Sequence, residues 1–164
     1  MRSITVIATL GLVGVGIAQP RMNPMMAAEM QKFKLTLDVL QTFDAINTAL
    51  DGLPNHNAIF TGRYQAFRAV MIGTSKSINE TAEPFAKNYP EAALAIRKAG
   101  FSTRQYLLVY YIVLESYLSP SIYAGGELPP GLSRQNVYFL RPNSDVTRPI
   151  VDHLVKQENA ADVQ

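Results

Sequence analysis

A run of nine mostly apolar residues, Tyr106 to Leu114 (YLLVYYIVL), most constrains how this chain can fold. Ser102 stands just before the run with Gln105 three residues later, which is the spacing of a helix capping box. The run is too short and too rich in tyrosine to span a membrane as a helix. It therefore predicts a central helix, buried on most sides, around which the remaining helices pack.

Apolar residues in the first half of the chain recur at steps of three and four, the period of an amphipathic helix. One stripe predicts a helix over residues 27–50, which the Asp-Gly-Leu-Pro sequence at 51–54 ends. A second stripe predicts a helix that follows Asn57 and continues to Ile78. Polar side chains such as that of Arg63 are expected largely off this second stripe.

The second half has shorter predicted elements. Two prolines make residues 83–90 a broken connector, with or without one helical turn, and a short helix is expected over 91–99. The sequence GGELPPG at 125–131 predicts a loop. Residues 133–140 are ambiguous between a helical turn and an extended segment, and after a break at Pro142 a last amphipathic helix is expected over 146–157.

These patterns predict an all-α protein, since alternation typical of β-strands is nearly absent. The expected architecture is a compact bundle of four to five helices behind an N-terminal apolar leader or anchor helix. We expect a single domain over residues 27–158. It is flanked by a leader at 1–18, a mobile lead-in at 19–26 and a frayed tail at 159–164.

The N-terminal segment predicts where the protein resides. Residues 4–18 (ITVIATLGLVGVGIA) are uncharged and apolar, follow the single basic Arg2, and end with the small residues Gly16 and Ala18. This arrangement is typical of a secretory signal peptide. As a helix the run would cover about 22 Å, short of the ~30 Å hydrocarbon core, although an uncleaved anchor remains an alternative. We expect an exported bacterial protein in the periplasm, either soluble or tethered to the inner membrane by residues 4–18.

Composition excludes several function classes. The chain has no cysteine, which excludes disulfides, thiolate zinc sites and covalently attached haem. Without the leader it carries 14 basic and 13 acidic residues, so it lacks the basic surface expected of a nucleic-acid-binding protein. Nucleophile-elbow, Ser-x-x-Lys and phosphate-loop motifs are also missing. The sequence therefore predicts no enzyme activity and no cofactor.

Tyrosines around the central helix are the candidate binding residues. The chain has eight tyrosines and no tryptophan, and tyrosine joins a large contact area to a polar tip. A row of them suits a protein interface or an aromatic pocket, and core packing is the alternative. The candidates are Tyr106, Tyr110, Tyr111 and Tyr117.

Glu115 completes this candidate set because it lies within the same apolar helix. If it faces the core, it needs a partner such as a tyrosine hydroxyl or a buried arginine, for which Arg63 and Arg68 are candidates. Alternatively, Glu115 and Ser116 mark the narrow solvent-exposed face of the helix.

A haem b site is a further hypothesis. Met30 lies near the start of the first predicted helix and His153 lies on the last, and methionine and histidine together can ligate haem iron. The alternatives are that the N-terminal methionines are packing residues and that His153 and His56 are ordinary surface histidines.

Part of the C-terminal half resembles a group of uncharacterised exported bacterial helical proteins. The similarity lies in residues 91–118, in Leu-Pro-Pro-Gly at 128–131 and in Asn-Val-Tyr-Phe at 136–139. It implies an exported all-helical protein and carries no activity or site residues. This chain departs from the pattern where 141–143 and 147–149 place prolines in a helix that the resemblance would continue.

Two functional hypotheses follow. The first is a non-enzymatic extracytoplasmic helical binding or structural domain, as an accessory subunit of an inner-membrane respiratory or photosynthetic complex if residues 1–18 are retained. Its partner would be another protein or a membrane complex. The second is a soluble periplasmic carrier of a small apolar ligand or haem b.

Overall fold

The computed structural model describes residues 22–118, 127–140 and 144–161, and within these ranges every regular element is an α-helix. The predicted all-α class and compact architecture are confirmed. The described residues form eight helices, more than the four to five expected, and the leader lies outside the described residues. The helices are α1 (Pro24–Lys32), α2 (Leu37–Asp51), α3 (His56–Met71), α4 (Asn79–Asn88), α5 (Pro90–Lys98), α6 (Thr103–Leu118), α7 (Arg134–Leu140) and α8 (Ser144–Ala161).

The helix predicted over residues 27–50 is divided into α1 and α2 by a four-residue link, 33–36. Phe33 is extended, and the Thr36 hydroxyl accepts a hydrogen bond from the Val39 amide, 3.3 Å away, to cap α2. The Asn136 side chain donates to the Phe33 carbonyl at 2.8 Å and accepts from the Leu35 amide at 2.9 Å. These bonds satisfy the backbone of the link, which explains how the helix can break there.

The second predicted helix is also shorter than expected: α3 ends at Met71 and does not reach Ile78. Gly73 adopts a left-handed conformation (φ 75°), and the Thr74 amide and hydroxyl both donate to the Ala69 carbonyl. The expected connector at 83–90 is mostly helical instead. Helix α4 contains Pro84 and continues to Asn88, so a single residue, Tyr89, separates it from α5.

Helix α6 lies at the centre of the fold, as its sequence predicted. Every residue from Tyr106 to Ser116 is buried, and α1, α2, α4, α5 and α8 all pack against α6. The extensive packing of α3 on α8 closes one side of this core, and α4 covers another. A helix buried on several sides explains why its sequence lacks a polar stripe.

Both ends of the described chain are more helical than expected. Helix α1 begins at Pro24, inside the stretch predicted as a lead-in, and α8 extends to Ala161, inside the predicted tail. The ambiguous segment 133–140 forms α7, and Pro149 lies within α8 without interrupting it. Proline is tolerated there because burial of Ile150 and Leu154 anchors the helix.

No helix within the described ranges has both the length and the apolar content needed to cross a bilayer.

Candidate functional site

Four helices direct polar side chains to one buried point, which we call the Arg63 cluster. Arg63 on α3 lies three residues after Phe60 and four before Phe67, so it shares their inward-facing stripe. Asn47 on α2 lies four residues after the buried Phe43 for the same reason. The six members of the cluster are Asn47, Arg63, Tyr106, Tyr110, Gln157 and Glu158.

The guanidinium of Arg63 is the centre of this cluster. Its Nη1 donates to Asn47 Oδ1 at 2.9 Å and to the Tyr106 hydroxyl at 2.7 Å. Its Nη2 donates to Gln157 Oε1 at 3.1 Å and to Glu158 Oε1 at 2.5 Å. Arg63 itself has no exposed surface. One cation therefore cross-links α2, α3, α6 and α8.

Aromatic rings and hydroxyls complete the environment of this ion pair. The guanidinium carbon of Arg63 lies 4.3 Å from the centre of the Tyr110 ring and 4.9 Å from that of Phe60, which are cation–π distances. The Tyr110 hydroxyl donates to Glu158 Oε1 at 2.8 Å, and the Tyr106 hydroxyl donates to Asn47 Oδ1 at 2.9 Å. One oxygen of the Glu158 carboxylate, Oε1, thus accepts hydrogen bonds from both the Arg63 guanidinium and the Tyr110 hydroxyl.

Burial and charge determine the protonation states in the cluster. Burial lowers the pKa of the Arg63 guanidinium, but Tyr106, Tyr110 and Glu158 outweigh this, and its pKa lies above the ordinary value. Burial raises the pKa of both Tyr106 and Tyr110, although Arg63 counteracts part of the rise. The arginine is therefore cationic and both phenols are neutral throughout the physiological pH range.

Three buried polar atoms of the cluster have no hydrogen-bond partner within the described part of the chain: Asn47 Nδ2, Arg63 Nε and Glu158 Oε2. An unsatisfied buried group costs about 1–3 kcal/mol. The cluster therefore fixes which side chains of the four helices meet, but its three unsatisfied atoms reduce the free energy of unfolding.

A shallow depression of about 220 Å³ lies beside the cluster, where α2, α3 and α8 meet. His153 Nε2 lies 2.6 Å from Asp51 Oδ2, and His153 Nδ1 lies 3.5 Å from Asp44 Oδ1. Gln157 donates to Asp51 Oδ1 at 2.8 Å and so connects this rim to the Arg63 cluster. His56 also lines the depression, with its Nδ1 2.9 Å from the Leu53 carbonyl.

The two residues of the haem hypothesis lie in different surroundings. Met30 is fully buried, and its Sδ lies 3.1 Å from where a Cβ on Gly131 would stand. Both ring nitrogens of His153 face carboxylates of α2. In residues 22–118, 127–140 and 144–161, histidines, aspartates and glutamates form no group of three or more suited to hold a metal ion.

The structure separates the predicted tyrosines. Tyr106 and Tyr110 join the Arg63 cluster, whereas the buried Tyr111 donates from its hydroxyl to Thr81 Oγ1 on α4 at 3.0 Å. Tyr117 is 48% exposed near the end of α6. Because the hydroxyls of Tyr106, Tyr110 and Tyr111 bond within the core, these three rings are packing residues here.

The interpretation of Glu115 and Ser116 as the solvent-exposed face of α6 is wrong, because they are 5% and 3% exposed. The Ser116 hydroxyl donates to the Ile112 carbonyl at 2.7 Å, which satisfies it inside the helix. Of the two arginines considered as partners for Glu115, Arg63 is buried and Arg68 is exposed.

Sequence reasoning missed most of the Arg63 cluster. It placed Arg63 largely off the apolar face and considered its burial only as a partner for Glu115, and it gave Asn47, Gln157 and Glu158 no role. A signal was present for Arg63 and Asn47, since both occupy i+3 or i+4 positions relative to buried phenylalanines. Gln157 and Glu158 lay at the boundary of the predicted domain, where no pattern distinguished them.

Comparison of the chain with protein-family models, with curated proteins and with solved structures finds no match.

Proposed function

We propose that this chain is a non-enzymatic, extracytoplasmic helical domain that acts by binding another protein. In its tethered form, residues 1–18 are retained and hold it at the inner membrane as an accessory subunit of a respiratory or photosynthetic complex. The observation that carries the binding role is the surface at the end of α6.

Helix α6 is buried from Tyr106 to Ser116 and then reaches the surface with two large side chains. Tyr117 is 48% exposed and Leu118 is 52% exposed. Tyrosine is enriched at protein interfaces because its ring buries apolar area while its hydroxyl finds a polar partner. A pair of this kind, fixed on a buried helix, would lose little conformational entropy when a partner covers it.

The interior supports the same proposal. The charged and titratable groups of the Arg63 cluster bond to one another, and they cross-link α2, α3, α6 and α8. Their arrangement suits a rigid scaffold that presents a fixed surface.

Fractionation of native cells tests the proposal. We expect the intact chain, with Arg2 present by mass spectrometry, to co-purify with a large membrane complex. The double variant Tyr117→Ser/Leu118→Ser should lose this association without a change in thermal unfolding. Leu94→Ser on α5 is the matched control because Leu94 is 47% exposed, and it should co-purify normally.

A monomer in the periplasmic fraction, with an intact mass that shows loss of residues 1–18, would contradict the tethered form. That outcome favours the soluble carrier, which must then carry a bound apolar ligand or haem b. Normal co-purification of the Tyr117→Ser/Leu118→Ser variant would instead exclude the end of α6 as the interface.

A further inference from the structure

The described chain begins at a residue that is held firmly in place. Met22 is 5% exposed, and its Sδ lies 2.9 Å from the point where a Cβ on Gly131 would stand. Gly131 has a φ of 95°, so a side chain there would be strained as well as crowded. Immediately after Met22, Asn23 caps α1 by accepting from the Met25 amide at 2.9 Å. The N-terminal segment therefore leaves the domain from a fixed point.

Gly131 connects this point to a set of four linked segments, which we call together the exit end: α1, the 33–36 link, residues 127–133 and α7. The Asn136 side chain joins α7 to the link through its bonds to Phe33 and Leu35. Ser133 Oγ accepts from the Asn136 amide at 3.1 Å and so orders the start of α7. The exit end is thus one connected part of the molecule.

Chain length places this end close to any membrane that holds residues 4–18. Four residue steps separate Ala18 from Met22, and they span at most about 14 Å when fully extended. The headgroup layer alone is roughly 5–8 Å thick on each side of the hydrocarbon core. The exit end must therefore lie at or near the lipid headgroups if the run is retained.

The exposed side chains of the exit end suit that position. Met25 is 68% exposed, Tyr138 is 61% exposed and Leu37, directly after the link, is 39% exposed. Tyrosine is typical of membrane interfaces because its ring sits at the headgroup level while its hydroxyl reaches water. The basic residues exposed on the same segments are Lys32, Lys34 and Arg134. The exposed Glu127, together with Asp38 at the start of the adjoining α2, offsets two of these charges. Apolar contact is therefore the main expected contribution.

We propose that the exit end is a lipid-contacting surface, with Met25 and Tyr138 set into the headgroup region of the membrane that holds residues 4–18. The inference rests on the tether in the proposed function. It adds an orientation, because Leu37 begins α2, which is about 22 Å long, and Leu53 lies two residues beyond the other end of this helix at Asp51. Leu94 lines a depression with Leu53, so the α5 side of the domain faces away from the membrane.

The absence of cysteine makes a site-specific test direct. The full-length chain is reconstituted in vesicles of phosphatidylethanolamine and phosphatidylglycerol, as the single variants Met25→Cys, Tyr138→Cys and Leu94→Cys. Each is labelled with bimane, and its fluorescence is compared between vesicles with and without brominated acyl chains. We expect roughly half of the fluorescence to be quenched at 25 and 138, where labels lie at the boundary between headgroups and acyl chains, and almost none at 94.

A second measurement needs no substitution. Lys32 and Lys34 at the exit end are exposed, as is Lys98 on α5. In the unmodified chain, vesicles should slow acetylation of Lys32 and Lys34 severalfold relative to Lys98, as mass spectrometry would show.

The two proposals fail in different ways. If the chain does not float with vesicles in a density gradient, the tether itself is refuted, and the lipid-contacting surface with it. If the chain floats but positions 25, 138 and 94 are quenched equally, and all three lysines react equally, the tether stands and the lipid-contacting surface is refuted.

Discussion

Tyr110 and Tyr111 are neighbours on α6, are equally buried and both touch the ring of Phe67, but they belong to two different regions of the core. Tyr110 donates to Glu158 and packs on the Arg63 guanidinium, in what we call the charged side of α6. Tyr111 donates to Thr81, on what we call the neutral side. One helix therefore contacts an ion-pair network on one side and an uncharged hydroxyl on the other.

The difference shows how much stability each side of α6 loses when one of its hydrogen-bonding or charged side chains is removed. On the charged side, removal of Arg63 or Glu158 leaves the other charge buried without its partner, which costs far more than the pair contributes in net stability. On the neutral side, removal of a hydroxyl leaves one hydroxyl without a partner. We therefore expect single substitutions to have unequal effects on the two sides although the geometry of the tyrosines is alike.

The largest expected effect comes from the arginine. Arg63→Met should lower the free energy of unfolding by about 3–5 kcal/mol, because it leaves the Glu158 carboxylate in a largely buried site without its cationic partner. Urea unfolding followed by circular dichroism measures the change. Arg68→Met on the same helix is the control, since Arg68 is exposed and its loss should change stability by less than about 0.5 kcal/mol.

A double variant separates the effect of the unpaired charge on stability from the effect of the lost arginine packing. In Arg63→Met/Glu158→Leu both charges are gone, so the double variant should regain most of the stability that the single variant loses. A loss in Arg63→Met below about 1 kcal/mol, or a double variant as unstable as the single one, would show that the charged side is not held by this ion pair.

High pH should destabilise the protein through both sides at once. Burial raises the pKa of Tyr106, Tyr110 and Tyr111 above the ordinary value of about 10. Above this pH the unfolded chain loses phenolic protons that the folded chain keeps. The free energy of unfolding therefore falls as pH rises, by about 1.4 kcal/mol per pH unit for each of these tyrosines.

A titration from neutral to alkaline pH, followed by phenolate absorbance, checks this prediction. Three of the eight tyrosines should stay protonated until the chain unfolds, and their ionisation should coincide with loss of helical circular dichroism. Ionisation of all eight tyrosines before any unfolding would contradict the burial of these three.

A matched pair of substitutions addresses the comparison directly. Tyr110→Phe removes a hydrogen bond to a charged group and should cost about 1.5–3 kcal/mol, whereas Tyr111→Phe removes one between two hydroxyls and should cost about 0.5–1.5 kcal/mol. Chemical denaturation of the two variants in parallel gives both values. Equal costs would mean that the ion pair does not strengthen the Tyr110 bond.

The smallest expected effect lies at the rim of the charged side. His153 is 27% exposed and Asp51 is 40% exposed, so solvent screens their contact. His153→Ala should lower the free energy of unfolding by at most about 1 kcal/mol, with Asp152→Ala as an exposed control on the same helix. A loss of stability as large as that of Arg63→Met would mean that the contact of His153 with Asp51, rather than the pair of Arg63 and Glu158, is the main electrostatic interaction that holds α8.

Local patterns predicted the helices better than their ends. The capped apolar run at 106–114 defined α6, and the steps of three and four residues defined α2 and α3. The break at 33–36 was missed because Asn136, about a hundred residues later, supplies its hydrogen bonds. Pro84 was treated as a helix breaker, yet α4 contains it because its neighbours Ala82 and Phe85 are buried.

By itself the sequence determined the all-α class, the buried central helix and the identity of the tyrosines on it. These follow from periodicity and capping, which are local properties of the chain. Only the tertiary structure decided which tyrosines meet a charge. Arg63 pairs with Glu158, 95 residues away, and no local pattern encodes a partner at that distance. The physical reason is that a buried charge requires a partner, while the packing of separate helices selects which one reaches it.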